Sequence, residues 1–414
     1  MELPTFRNRT AIVVYLPTLL LALSQGMLVT IIPLFAADFG VTDTLIGVLV
    51  SAVAIGTLLM DVPAGALLQK LGMRRAMLIG SGTVAITTSL LAIPALGFEA
   101  SIALRLVAGI GTALWSISRH AYIAESIPVA ERGKALSTFG GLQRLGTLGG
   151  PALGGILYGA LGVHWSFLAS GIMSAIAFAV ALVLVQDVAA AVKRMSSRHR
   201  WLTVRRAVVA NRRDLAAAGA AQTFAQMIRT GRMLIIPLYG YSYLGLSEAQ
   251  VGLILTVSSV FDVAMSIPAG ITMDRLGRKA SMVPSFAIMG TGVAFVPLAD
   301  GFWPLLIASS VIGLGNGFGA GSMMTLGADL APPGATGEFL GIWRVIGDFG
   351  MVCGPLLVGI MADLIGINGS SIALAFVGYI AAFIILKLVR ETRAKPSPPP
   401  EPVAAPGTNA RATE

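Results

Sequence analysis

Two stretches of this chain, about 204 residues apart, spell nearly the same thing. PAGALLQKLGMRR (Pro63–Arg75) returns as PAGITMDRLGRK (Pro268–Lys279), and GTLGGPALGG (Gly146–Gly155) returns as GMVCGPLLVG (Gly350–Gly359). A shorter echo pairs AESIPVAERGK (Ala124–Lys134) with ADLAPPGATGE (Ala328–Glu338). All three pairs share nearly one offset. The chain therefore carries a duplicated half, and the fold of one half is expected to recur in the other.

Composition says what solvent that fold meets. The chain is 55% hydrophobic and only 12% charged, too little charge for a soluble protein of this length to keep a surface in water. Apolar runs of about 20 residues recur about twelve times, near 12–35, 45–68, 76–95, 100–124, 135–160, 164–186, 214–240, 249–272, 280–299, 303–328, 338–362 and 370–390. Each is long enough to cross a bilayer. Lipid cannot satisfy open backbone groups, so the runs are expected as helices, and too few alternating segments are present for a barrel. The expected fold class is an all-α membrane protein with twelve transmembrane helices in two pseudo-symmetric six-helix bundles. The bundles are expected at 1–190 and 214–392, joined by a basic cytoplasmic linker at 191–213 and followed by a Pro-rich, disordered cytoplasmic tail at 393–414. No small-residue cleavage site follows the first apolar run, which reads as a retained span.

The net charge of +9 raises the question of nucleic acid, and its placement argues against it. Lys70, Arg74, Arg75, Arg132, Lys134, the central loop from Lys193 to Arg213, Arg275, Arg278, Lys279, Lys387 and Arg390 all fall in loops on one side. The loops on the other side carry acids instead: Asp38, Asp43, Glu99, Glu248, Asp300 and Asp363. This asymmetry places both termini and the central loop in the cytoplasm, with the chain in the inner membrane. The single cysteine, Cys353, allows neither an intramolecular disulfide nor a cysteine metal cluster, and no metal site or cofactor is expected. Glycine-rich runs such as Gly313–Gly321 read as helix contacts. They lack the strand and soluble helix that a phosphate-cradling loop requires.

Three motifs resemble those of the major facilitator superfamily, over nearly the whole chain. The first is Gly270, Asp274, Arg275, Gly277, Arg278 and Lys279 in the turn after the eighth span. Gly270 is expected to allow a close helix crossing, Gly277 a tight turn, and Asp274 to face a neighbouring helix N-terminus or pair with an arginine. The first-half copy has Gly65, Gly72 and Arg75, but Gln69 stands where the family has Asp. The second motif, Arg105 with Ala108, Gly109 and Gly111, resembles a fourth-helix signature in which the arginine contributes to proton-linked transport. The third, Gly146, Gly150, Pro151, Gly154 and Gly155, resembles the antiporter signature of drug-efflux proteins. Gly354 and Pro355 belong to a looser copy in span eleven. Pro151 removes one helix hydrogen bond, and the glycines offer a smooth face to a partner helix.

Charges inside spans are few and costly: Arg105, Arg144, Arg229, Arg232 and Arg344 against Asp61, Asp262 and Asp348. Arg229 and Arg232 share a helix face, and Arg229 occupies the repeat position of Gln25, so all three are candidate cavity residues. Arg344 and Asp348 stand four apart and can pair; Arg144 occupies the repeat position of Asp348. Asp262 is the first candidate for proton exchange, followed by Asp61 and Asp348. The arginine excess, if it faces the cavity, favours a substrate with negative charge or strong acceptors. No nucleophile–base constellation points to an enzyme. The resemblance implies a monomeric secondary transporter in the lipid bilayer, exporting small organic substrates in exchange for protons by alternating access. Two alternatives stay open: uptake of an anionic metabolite, and a non-transporting receptor or scaffold.

Overall fold

The computed structural model describes residues 5–126, 129–185, 212–332 and 335–392. Residues 186–211 of the basic connector and the tail beyond 392 lie outside the described residues, so the expectations of a cytoplasmic linker and a disordered tail concern segments largely not described. Among the described residues there is no strand. The first set of helices is α1 (Thr5–Asp38), α2 (Asp43–Leu71), α3 (Met73–Leu90), α4 (Phe98–Ser126), α5 (Val129–Leu161) and α6 (Val163–Leu184). The second is α7 (Arg212–Leu238), α8 (Glu248–Leu276), α9 (Arg278–Ala294), α10 (Phe302–Phe318), α11 (Ser322–Leu330) and α12 (Thr336–Lys387).

Among the described residues, eight stretches are long and apolar enough to cross a membrane, with α10 and α11 counting as one. The 52-residue α12 turns at Gly366 and supplies two of the limbs. The other three limbs are α3, α5 and α7, whose sequences carry arginines or many glycines. Twelve limbs result, six before the connector and six after it. Local sequence sets their ends. The Thr42 hydroxyl accepts from the Leu45 amide to start α2, and Ser247 and Gln250 form a reciprocal capping box at the start of α8. Gly72 and Gly277, equivalent in the repeat, turn the chain with φ of 78° and 106°. A side chain there would be strained, so the tight α2–α3 and α8–α9 turns need glycine.

Two features differ from the expectation. The tenth span is not continuous: it breaks at Gly319–Gly321, inside the run expected to serve as helix contact. Gly321 has φ of 74°, and four glycines within Gly313–Gly319 lower helix propensity. The second is a five-residue π-helix, Tyr239–Tyr243, that extends α7.

Packing rests on small residues, because lipid supplies no hydrophobic force between helices. The two copies of the Gly–Pro motif divide their labour in the same way. A Cβ on Gly150 would fall 2.5 Å from the Gly26 Cα of α1, and one on Gly154 2.7 Å from the Met27 carbonyl. Gly350 and Gly354 press in turn on Thr223, Met227 and Gly231 of α7. Gly155 faces the other way, onto Glu248 and Gly252 of α8, and Gly359 faces Asp43 and Thr44 of α2. The early glycines thus bind each set of helices internally, and the late ones join the two sets.

The main joins are two seams, α2 against the first limb of α12 and α5 against α8, with a smaller contact of α1 on α7 and its extension. At the end carrying Asp38, Asp43, Glu248 and Asp363, called here the acidic end, both seams are shut. A Cβ on Gly47 would lie 2.6 Å from the Pro355 carbonyl, and one on Gly252 2.5 Å from the Pro151 carbonyl. The Asp363 carboxylate accepts from the amides of Asp43 (3.0 Å) and Thr44 (2.9 Å). Asp38 accepts from Tyr241 (3.0 Å) and from Tyr158. At the opposite, basic end, Gly65, Gly140, Gly270 and Gly341 have nothing within 4 Å of the place a Cβ would take. Each seam is therefore in contact at the acidic end and parted at the basic end. Gly270, expected to support a close crossing, makes none here, because its seam is open at that level.

This difference predicts opposite outcomes for the same change. Gly150→Ala overpacks a backbone contact and should destabilise by about 1–3 kcal/mol. Gly270→Ala enters open space and should be neutral or slightly stabilising through helix propensity. Thermal unfolding in detergent separates the two.

Candidate functional site

A polar cavity of about 230 Å³ lies where the α5–α8 seam parts. Arg144 and Thr147 reach it from α5, Arg229 from α7, Ser259 and Asp262 from α8, and Asn316 from α10, with Ala320 and Gly321 of the broken segment closing one side. A larger apolar groove of about 400 Å³ between α3 and α6 carries no charged residue. Of the two, the smaller cavity is the one with chemistry to offer, since specific polar groups converge there.

Its arginines and its acid are not equally partnered. Asp262 accepts from the Asn316 amide at 2.5 Å and pairs with Arg232 at 3.5 Å, the Arg232 side chain being 9% exposed. Arg229 donates to the carbonyl of Gly319 at 2.9 Å and lies 5.3 Å from the Phe286 ring centre. At the break, the Gly319 carbonyl thus accepts from Arg229 of α7 as well as from the amide and hydroxyl of Ser322. Among the described residues no carboxylate comes within ion-pair distance of Arg144 or Arg229. Arg232 sits behind Asp262 and balances it, so the cavity keeps two guanidinium groups facing a single, already paired acid. Of the five arginines within spans, Arg144 and Arg229 line the cavity.

The remaining sequence candidates lie elsewhere. Gln25 is exposed on α1 and does not line the cavity. Arg105 lies seven residues into α4 from the acidic end, its Nε buried without a partner. Arg344 pairs with Asp348 on its own helix, as the spacing predicts, at 3.4 Å, and also with Asp61 of α2 at 3.2 Å. The sequence did not reveal the second contact, since no local spacing links α2 to α12. Arg119 was missed altogether. It is 5% exposed and stacks 4.0 Å from the Phe139 ring centre. Its signal was available: it falls inside the apolar run 100–124. Trp115 and Trp343 are buried and line no part of the cavity.

At the basic end the second-half turn motif is tied down within itself and by residues of α11 and the segment after α12. Asp274 is 78% exposed and pairs with Arg278 of its own motif at 3.5 Å; it faces no helix N-terminus. Glu391, just past α12, fills that role by accepting from the amides of Arg278 (2.8 Å) and Lys279 (3.1 Å) at the start of α9. Arg278 also pairs with Asp329 of α11 at 3.0 Å. In the first-half copy, Gln69 and Arg75 are exposed, as is Arg275 in the second. Arg74 donates to the carbonyls of Val185 (2.8 Å) and Leu182 (3.0 Å).

Known proteins share this architecture. The profile of the Major Facilitator Superfamily matches residues 14–228 and again 218–412. An uncharacterised MFS-type transporter of Methanocaldococcus jannaschii is 22% identical over 369 residues, 87% of this chain and 93% of that protein. Multidrug resistance protein MdtG of Escherichia coli is 29% identical over 166 residues, 38% of this chain and 40% of that protein. The crystal structure of a D-xylose–proton symporter superposes with a TM-score of 0.77 at 19% identity, covering 94% of this chain and 99% of the other.

The pairing of Asp262 yields a prediction. Arg232→Ala leaves a partly buried carboxylate short of its counter-charge. It should cost about 3 kcal/mol, the low end for a broken buried pair, because Asp262 is 23% exposed. The double variant Arg232→Ala/Asp262→Asn should be more stable than Arg232→Ala alone, as read by thermal unfolding in detergent.

Proposed function

The chain belongs to the Major Facilitator Superfamily, and on that premise we propose that this membrane transporter is a proton-coupled exporter of small organic molecules. It works by alternating access as a monomer in the inner membrane, with the basic end and both termini in the cytoplasm. The observation that carries the reading is the position of the polar cavity. It lies on the seam between the two sets of six limbs, at the level where seam glycines pass from backbone contact to open space. A substrate held there by Arg144, Arg229 and Asn316 is reached from the basic end. It is sealed from the acidic end by the Gly155–Gly252 and Gly47–Pro355 contacts. Rocking the sets about the cavity reverses which end is open.

Export is supported by the Gly146–Gly155 motif. One of its faces holds α1, and the other, at Gly155, meets α8 at the closed end. MdtG, named as a multidrug resistance protein, matches over part of its length. A second reading, uptake of an anionic metabolite, draws on Arg144 and Arg229, which favour a carboxylate or phosphate in the cavity.

Flux in oriented membrane vesicles separates the readings. With a panel of radiolabelled organic anions and neutral drugs, export predicts accumulation in inverted vesicles whose interior is acidified. Uptake predicts accumulation only in right-side-out vesicles with an acid exterior. Arg229→Ala should lower flux of the transported compound by at least about tenfold, the loss expected when one charge-assisted contact of about 1.5–3 kcal/mol goes. Unchanged flux in that variant would remove the cavity from the account.

A further inference from the structure

The α2–α12 seam holds a second charged cluster that the cavity does not use. Asp61 of α2 and Asp348 of α12 both approach one atom, Arg344 Nε, at 3.2 and 3.4 Å. That nitrogen carries a single hydrogen, and it is donated to Asp348 Oδ2. The contact to Asp61 lies outside hydrogen-bond geometry. Both Asp61 oxygens are buried without any donor, and the side chain is 4% exposed. A carboxylate so placed has lost water and gained no hydrogen bond in return, a condition proteins rarely leave unrelieved.

Among the described residues, the neighbouring cationic groups are engaged elsewhere. On α4, Arg119 is turned onto the Phe139 ring at 4.0 Å, and His120 is engaged through Nδ1 with the Ser116 carbonyl at 2.6 Å. On α12, Arg344 serves two acids. Among the described residues, Arg119 and His120 of α4 and Arg344 are the titratable or charged groups named near the pair, and only Arg344 lies within ion-pair distance of either acid. One proton would supply the missing donor and cancel one of the two adjacent negative charges, as when carboxylates share a site. Asp262 differs: Asn316 and Arg232 already meet its charge.

Resting on the transport reading above, we propose that Asp61 and Asp348 together form the proton-binding site of this transporter, sharing one proton across the α2–α12 seam. The site is placed to couple to the seam. Toward the acidic end lie the Ser51–Val352 hydrogen bond (3.0 Å) and the Gly47–Pro355 contact; toward the basic end Gly65 and Gly341 face open space. Parting α2 from α12 at this level gives Asp61 to water and releases the proton, leaving Arg344 to Asp348 alone. Closing the seam there requires the proton again. The uncharged Gln69, at the turn position that carries Asp274 in the second copy, leaves Asp61, eight residues deeper on α2, as the acid that meets α12.

The test needs no substrate. In the full-length protein with Cys353→Ser, spin labels at Gln69→Cys and Gly337→Cys report the seam at its basic end. The wild-type site should show two distance populations whose ratio changes with pH between about pH 5 and about pH 9, by at most tenfold per pH unit for one proton. Asp61→Asn, which mimics the protonated group, should fix the ratio at all pH values, and Asp348→Asn should shift or abolish the response. Asp300→Asn, an exposed acid outside both charged clusters, should respond as the wild type does. Gel-filtration and thermal-unfolding profiles matching wild type identify folded variants. Should Asp61→Asn misfold, Asp61→Glu, which keeps the acid, should restore a pH response at a displaced midpoint. The proposal is overturned if the parent ratio ignores pH, if Asp61→Asn still titrates, or if Asp262→Asn alone removes the response. The vesicle fluxes decide the transport reading separately.

Discussion

Backbone contact between small residues is the interaction on which this structure depends. In a bilayer, helices gain little from hiding apolar surface from one another, so they hold together where their backbones approach. Gly26, Gly146 and Gly150 give such an approach within the first set of helices, and Gly350 and Gly354 within the second. Between the sets, the glycine contacts lie toward the acidic ends of two seams. A tight interface inside each set and a partial one between them is the mechanical arrangement for two bodies that move against each other.

Charge is distributed to suit that arrangement. At the acidic end, Asp363 receives the first amides of α2, and Asp38 receives two tyrosine hydroxyls, one from each set. These bonds lie at the helix ends, where water can replace them when the seam opens, so they close it without sealing it permanently. Deeper in, the two seams differ. The α5–α8 seam parts around a cavity with two arginines in excess. The α2–α12 seam stays together as far as Arg344, which stands between two carboxylates. In the proposed reading, one seam offers a place for substrate and the other a place for a proton.

Much of the fold was legible because the membrane restricts what an apolar run of about 20 residues can become. The repeat placed Gly72 against Gly277 and Pro151 against Pro355, and these occupy matching turns and helix interiors. What escaped was non-local or backbone-specific. The break at Gly319–Gly321 lay in a run whose glycines serve helix packing and helix breaking equally well. Its purpose, a carbonyl for Arg229, depends on α7 lying beside it. Of the site residues, Arg144, Arg229 and Asp262 were legible as rare charges within spans, and they converge on one cavity with Asn316, an uncharged residue that gave no such signal. Gln25 was drawn in by repeat position alone and is exposed away from it. The Asp61–Arg344 contact joins residues far apart in sequence, which no spacing rule reaches.

The central claim is that the two ends of each seam open and close in opposition about the cavity. The most direct measurement uses two label pairs across the α5–α8 seam, Gly140 with Gly270 at the basic end and Leu161 with Ser247 at the acidic end, followed by double electron–electron resonance in proteoliposomes under an imposed pH gradient. The account predicts that the first distance shortens as the second lengthens. Two distances that stay fixed, or that change in the same sense, would contradict it.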